Sequence, residues 1–98
     1  MNIKNHLFES MELIKDVDKQ GGLRTKKIFK KSKKDEPLIS IITVVLNNEK
    51  YLEEALESLK SQSYRNFEHI VIDGGSSDRT LEIIKKNDEN IDYWVSKK

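Results

Sequence analysis

Between Leu38 and Leu46 the chain carries Ile39, Ile41, Ile42, Val44, Val45 and Leu46, interrupted only by Ser40 and Thr43. Side chains branched at Cβ are stiff and favour a pleated strand, and a run without polar alternation is the pattern of a strand buried on both faces of a parallel sheet. A parallel neighbour needs a crossover of about a dozen residues or more, commonly a helix. The sequence supplies one. Asn47-Asn48 ends the run with a favoured helix N-cap. Leu52, Ala55, Leu56 and Leu59 then recur at helical spacing, while Glu53, Glu54, Glu57 and Lys60 fall on the other side. After a polar turn from Ser61 to Asn66, Ile70-Val71-Ile72 predicts a second buried strand, closed by Asp73-Gly74-Gly75-Ser76-Ser77-Asp78. A second helix is expected from about Asp78 to Lys86, with Leu81 and Ile84 inward. Asn87 to Asn90 reads as a loop and Ile91 to Val95 as a third strand, whose Tyr93 and Trp94 pack under the sheet. The fold class is therefore α/β: a βαβαβ parallel sheet with right-handed crossovers and helices covering it.

The N-terminal third differs in character. Ile3, Leu7, Met11, Ile14 and Val17 recur at steps of three or four, an amphipathic helix that suits packing on the sheet, pairing with a second copy, or lying on a membrane. Gln20-Gly21-Gly22 breaks the pattern. Arg24, Lys26, Lys27, Lys30, Lys31, Lys33 and Lys34 follow with no acidic residue among them, anchored by Ile28 and Phe29 alone. This stretch reads as a linker or loosely held arm, closed by Pro37. The expected organisation is an N-terminal helical and basic extension over residues 1–36 and the α/β unit over residues 37–98. Most charge runs are solvated; the functional reading of Arg24–Lys34 is contact with an anionic membrane surface. Nucleic acid is not an expected partner, because aromatic residues are almost absent from the run.

Ninety-eight residues leave no room for a second core. With no cysteine, disulfides and thiolate metal sites are excluded, which is compatible with a cytoplasmic setting. No apolar run approaches the ~20 residues of a bilayer span, and Lys15, Asp16 and Asp18 interrupt the order of a signal peptide. The expected location is cytoplasmic, with peripheral contact at the inner face of the membrane. His6 and His69 are too far apart in sequence to argue for a metal site, and His69 is expected on an exposed strand face.

In open parallel sheets ligands bind beyond the carboxyl ends of the strands. Two polar clusters fall there: Asn47-Asn48-Glu49 after the first strand and Asp73 to Asp78 after the second. If the strands are neighbours, both clusters line one crevice. Each also has a structural reading, the asparagines as a helix cap and Gly74-Gly75 as a tight turn. Asp73 is harder to dismiss, because a carboxylate at the end of an apolar strand needs partners. These are a nucleobase N–H, a ribose hydroxyl, or the backbone of its own turn. The glycines lack the Gly-x-Gly-x-x-Gly spacing of a dinucleotide site, and no Gly-Lys-Ser/Thr is present to cradle a triphosphate.

Taken in order, Leu38 to Glu49, then Gln62-Ser63-Tyr64-Arg65-Asn66-Phe67-Glu68, then Ile70 to Thr80, then Ile91 to Ser96, the chain resembles family 2 glycosyltransferases. The resemblance covers about 60 residues and nothing before about Glu36. It implies the N-terminal part of a glycosyltransferase A-type (nucleotide-diphospho-sugar transferase) fold, holding the nucleoside of a UDP-, GDP- or dTDP-sugar. By the resemblance the nucleotide-binding residues are Val45, Asn47, Glu49, Asp73, Gly74 and Ser76. Two positions depart from many relatives: Leu46 stands where an aromatic residue is common, and Gly74 where a second acidic residue is common. The resemblance also implies that the divalent metal (Mg or Mn), its Asp-x-Asp-type ligands, the acceptor site and the general base belong downstream of the third strand. No catalytic or metal residue is then expected in this chain, which by itself is expected to be inactive. The parent enzyme would transfer a sugar to a glycan or lipid-linked acceptor in polysaccharide or cell-envelope biosynthesis. The alternative is a non-catalytic truncated module with a binding or interaction role, acting as a homo-oligomer in one version.

Overall fold

The computed structural model describes residues 19–97. Four strands, β1 (Lys19–Gly21), β2 (Ile39–Val45), β3 (Phe67–Asp73) and β4 (Tyr93–Ser96), form one sheet in the order β1-β4-β3-β2. Helices α1 (Glu49–Lys60) and α2 (Thr80–Lys86) join the parallel strands β2, β3 and β4, and short 3-10 turns occupy Leu23–Lys26 and Asp88–Asn90. The βαβαβ frame expected from the sequence is present. The amphipathic pattern from Ile3 to Val17, and His6 within it, lie outside the described residues.

Because the parallel strands β2, β3 and β4 pair in sequence order, crossovers of one hand carry both helices to the same face. Leu52 and Leu56 of α1 and Ile83 and Ile84 of α2 pack there against Val45, Val71, Ile91 and Trp94 in one core. The Asn48 side chain caps α1 by accepting from the Tyr51 N–H at 3.3 Å. Asp78 performs the same service before α2, accepting from the Thr80 N–H at 2.9 Å. The other face carries the smaller cluster Ile70, Tyr93 and Val95, with Ile72 against it. Here the expectation of a first strand buried on both faces fails: Ile42 and Val44 of β2 are 55% and 69% exposed. They pair in register with Ile70 and Ile72 and so lie on the face opposite the helices, on an edge strand. A β-branched run reports that a strand forms, whereas its burial depends on the neighbours it acquires.

The basic segment is not the loosely held arm expected from its charge. β1 pairs antiparallel with β4, and Gly21 packs so closely on Trp94 that a Cβ at this position would lie 2.6 Å from the indole nitrogen. From there the chain crosses the amino-terminal ends of the strands as a strap. Leu23 and Arg24 donate backbone hydrogen bonds to the carbonyls of Ile91 and Asp92, before β4. Lys30 reaches the carbonyl of Phe67, the first residue of β3, at 2.8 Å. Asn66 donates to the carbonyls of Lys31 and Glu36, and the Tyr64 hydroxyl to that of Pro37.

Two buried carboxylates explain the attachment. Glu68 accepts from the Ser40 hydroxyl at 2.5 Å and faces Arg24 at 3.5 Å. Asp92 accepts from the His69 N–H at 2.8 Å and pairs with Lys30 at 3.1 Å. Both carboxylates are almost fully buried, so the basic residues neutralise charge that would otherwise be costly to hold inside. His69 is buried as well, contrary to the exposed position expected from sequence, with Nε2 2.7 Å from the Thr43 hydroxyl. Burial, reinforced by the nearby Lys30 charge, pulls its pKa from 6.5 down to about 4. Tyr93 and Trp94 are core residues as expected, with their polar ends on Gln20 and Asp88.

Candidate functional site at the strand ends

The register levels the carboxyl ends of three strands, pairing Val45 with Asp73 and Asp73 with Ser96. The two polar clusters singled out in the sequence therefore meet at one end of the sheet, opposite the strap. Val45 is buried in the core and offers its carbonyl, which accepts from the Gly74 N–H at 3.0 Å. Asn47 follows at φ 45°, a left-handed conformation that asparagine tolerates better than most residues. That turn aims its side chain at the second cluster. Asn47 Oδ1 accepts from the Ser77 N–H at 2.7 Å and the Asp78 N–H at 3.3 Å, and the Asn47 N–H donates to Ser76 Oγ at 2.8 Å. Its Nδ2 carries no hydrogen bond among the described residues and remains available.

Asp73 is 1% exposed and its carboxylate points into the turn. It accepts from Ser76 Oγ at 2.5 Å, from the Ser76 N–H at 3.1 Å and from Ser96 Oγ at 2.7 Å. Of the partners open to it in the sequence, it takes its own turn. The sequence reading overlooked Ser96, although a serine directly after an apolar strand is a signal for such a partner. Gly75 has φ 90°, which lets the turn fold back over this carboxylate without strain.

The surface left toward solvent includes Leu46, Asn47, Asn48, Gly74, Ser77 and Asp78, with Glu49 and Ser76 half-buried. Leu46 is 59% exposed and lies against Gly74, so the two departures from the common family pattern are neighbours in space. Glu49 begins α1 and sits 3.9 Å from Arg79, whose stronger pairing is with Glu82 at 3.0 Å. Hydrogen bonding from Thr80 holds the Asp78 carboxyl below the usual carboxylate range. A cavity of about 610 Å³ lies elsewhere, between the outer faces of α1 and α2, lined among others by Glu53, Glu57, Arg79 and Glu82. It does not reach the strand ends. Among the described residues no three His, Asp or Glu side chains come together as a metal site.

The family profile described as Glycosyl transferase family 2 matches residues 40–97. An uncharacterized glycosyltransferase of Haemophilus influenzae is 54% identical over 48 residues, covering 49% of this chain and 19% of the relative. A Methanococcus voltae protein named dolichyl N-acetyl-alpha-D-glucosaminyl phosphate 3-beta-D-2,3-diacetamido-2,3-dideoxy-beta-D-glucuronosyltransferase is 40% identical over 67 residues, covering 61% of this chain and 21% of the relative. An uncharacterized glycosyltransferase of Mycobacterium tuberculosis is 38% identical over 61 residues, covering 61% and 23%. The chain thus spans about a fifth of the length of these relatives. No solved structure matches it. With the matched segment running from β2 through the end of β4 and taking in both strand-end turns, the chain belongs to glycosyl transferase family 2.

Proposed function

We propose that the joined turns at Asn47 and Asp73–Asp78 bind the nucleoside of a nucleotide-sugar donor, as part of an enzyme that transfers the sugar to a glycan or lipid-linked acceptor. The observation that carries this reading is the Asn47 side chain bridging to Ser77 and Asp78 at the level carboxyl ends of β2 and β3. A rigid, backbone-rich shelf of this kind lets a flat base approach closely. Asn47 Nδ2 supplies a donor, Glu49 an acceptor for ribose hydroxyls, and Leu46 beside Gly74 an apolar contact where relatives commonly have an aromatic ring. Asp73 holds the shelf from beneath. A lipid-linked acceptor is supported by the name of the Methanococcus voltae relative, which acts on a dolichyl phosphate-linked sugar. The role of such an enzyme is polysaccharide or cell-envelope synthesis.

The acceptor site, the general base and the ligands of a divalent Mg or Mn ion belong, in this reading, to parts of the parent enzyme outside the chain. No helix among the described residues is long and apolar enough to cross a membrane. The absence of cysteine is compatible with the cytoplasmic setting this reading carries.

Calorimetric titration with UDP, GDP and dTDP tests the proposal, with Asn47→Ala as the control. Saturable heat with one nucleotide, abolished in the variant, is the expected result. Equal heats in both proteins, or none with any nucleotide, count against it. A second reading, a binding module without transfer activity, is favoured by Leu46 and Gly74 at the shelf. It predicts saturable binding of another ligand by a monodisperse chain, or by one defined homo-oligomer, with no response to these nucleotides.

A further inference from the structure

The strap across the amino-terminal ends of the strands holds more positive charge than the fold consumes. Arg24, Lys26 and Lys30 face Glu68, Asp88 and Asp92. Lys27, Lys31, Lys33 and Lys34 are exposed and make no ion pair with any described residue. Among them stand Ile28 and Phe29, large apolar side chains that are 50% and 42% exposed. Their segment is held in place. The Ile28 N–H donates to the carbonyl of Leu23, and Lys33 and Glu36 exchange a pair of backbone hydrogen bonds at 3.2 and 3.1 Å. The Leu38 N–H donates to Ser32 Oγ at 3.2 Å, and the Arg24 guanidinium lies 4.6 Å from the centre of the Phe29 ring. The acidic groups on the segment, Asp35 and Glu36, stand together at its far end and leave the lysines in excess.

A fixed apolar pair ringed by lysines matches a surface that is negative outside and apolar just beneath. We propose that this strap docks on an anionic lipid bilayer, with Ile28 and Phe29 entering the interface and Lys27, Lys31, Lys33 and Lys34 against the headgroup phosphates. A single-stranded nucleic acid would need successive aromatic faces for its bases, and the strap has one, with Arg24 already stacked against it. Along β3 the strap and the Asp73 turn are about 20 Å apart, so docking leaves the strand-end shelf facing the aqueous side. The inference rests on the strap alone and stands whether or not the shelf binds a nucleotide.

Vesicle flotation of the full chain tests it. Vesicles of phosphatidylcholine alone are compared with vesicles containing phosphatidylglycerol, at low and high salt. The expected result is binding to the anionic vesicles only, weakened by salt. Changing Lys27, Lys31, Lys33 and Lys34 together to Gln is expected to weaken that binding at least about a hundredfold. Ile28→Ser is expected to weaken it about tenfold. The four-lysine variant should keep the parent unfolding midpoint, because those side chains are exposed, and Ile28→Ser should keep the parent circular dichroism spectrum, because Ile28 lies outside the core. Equal binding to neutral and anionic vesicles, or retention of binding in the four-lysine variant, would locate the membrane affinity elsewhere and overturn the proposal. Absence of vesicle binding, or displacement from vesicles by single-stranded RNA at lower concentration, would overturn it as well.

Discussion

Asn47 accepts a hydrogen bond from the backbone of Ser77 at 2.7 Å, across thirty positions of sequence, and so locks the turn after β2 to the turn after β3. One side chain determines whether the two polar clusters form a single surface. Asn47→Ala removes this bridge and leaves a Cβ-branching-free but non-glycine residue at φ 45°. The expected cost is about 1–2 kcal/mol, and Asn47→Gly should cost less because glycine adopts that conformation freely. Chemical denaturation of the three proteins checks the order. If the glycine variant is the least stable, the left-handed turn is not what Asn47 serves.

Asp73 has three internal donors and almost no exposure. Asp73→Asn replaces one acceptor oxygen by an NH₂ group facing donors, and a loss of about 2–3 kcal/mol is expected. Ser96→Ala, which removes one donor, should lose about 1 kcal/mol. Thermal unfolding of both variants decides; an Asp73→Asn protein as stable as the parent would mean that the carboxylate is turned toward solvent after all.

Lys30 is the cation for the buried Asp92 carboxylate. Lys30→Ala is expected to destabilise the chain by about 1–3 kcal/mol, discounted because the lysine head is partly solvated. Combining it with Asp92→Asn should restore part of the loss, since no charge is then left buried. Urea midpoints of the single and double variants measure the coupling. Strict additivity would show that the pair does not hold the strap.

How the strap escapes a reading of the sequence is clear from these two residues. Lysines report only charge, whereas the information that they are held lies in Glu68 and Asp92, carboxylates beside apolar strand residues. The parallel strands, both helices and the two strand-end turns were legible, because β-branched runs, helical periodicity and Asn or Gly turns act locally. Three features depended on the assembled sheet instead. β1 has three residues and one is the glycine that Trp94 covers. Ile42 and Val44 carry strand chemistry whether covered or bare. Val45, Asn47, Glu49, Asp73, Gly74 and Ser76 do gather at one end of the sheet, yet that the Asp73 carboxylate turns inward rather than to solvent depends on Ser76 and Ser96 in the assembled sheet.

His69 gives the fold a pH dependence with a defined sign. Its folded pKa of about 4 lies below the ordinary 6.5, so the unfolded chain takes up the proton first as pH falls. The stability is complete above pH 6.5 and is lost progressively toward about 4, by about 2 kcal/mol after allowance for screening. Asp88 contributes at lower pH: burial raises its pKa, but hydrogen bonds from Trp94, Lys26 and Gly22 outweigh this and hold it below 3.8. His69→Gln keeps a partner for Thr43 and should flatten the profile between pH 6.5 and 4. Unfolding free energies measured across that interval check the slope, and an unchanged slope in the variant would assign it to other groups.

The most direct test of the account maps backbone amide resonances during titration with UDP, GDP and dTDP. Saturable shifts concentrated at Leu46–Glu49 and Gly74–Asp78, absent in Asn47→Ala, are the predicted result. Shifts confined to the cavity between α1 and α2, or no shifts at either turn at saturating nucleotide, would contradict a nucleoside site at the strand ends.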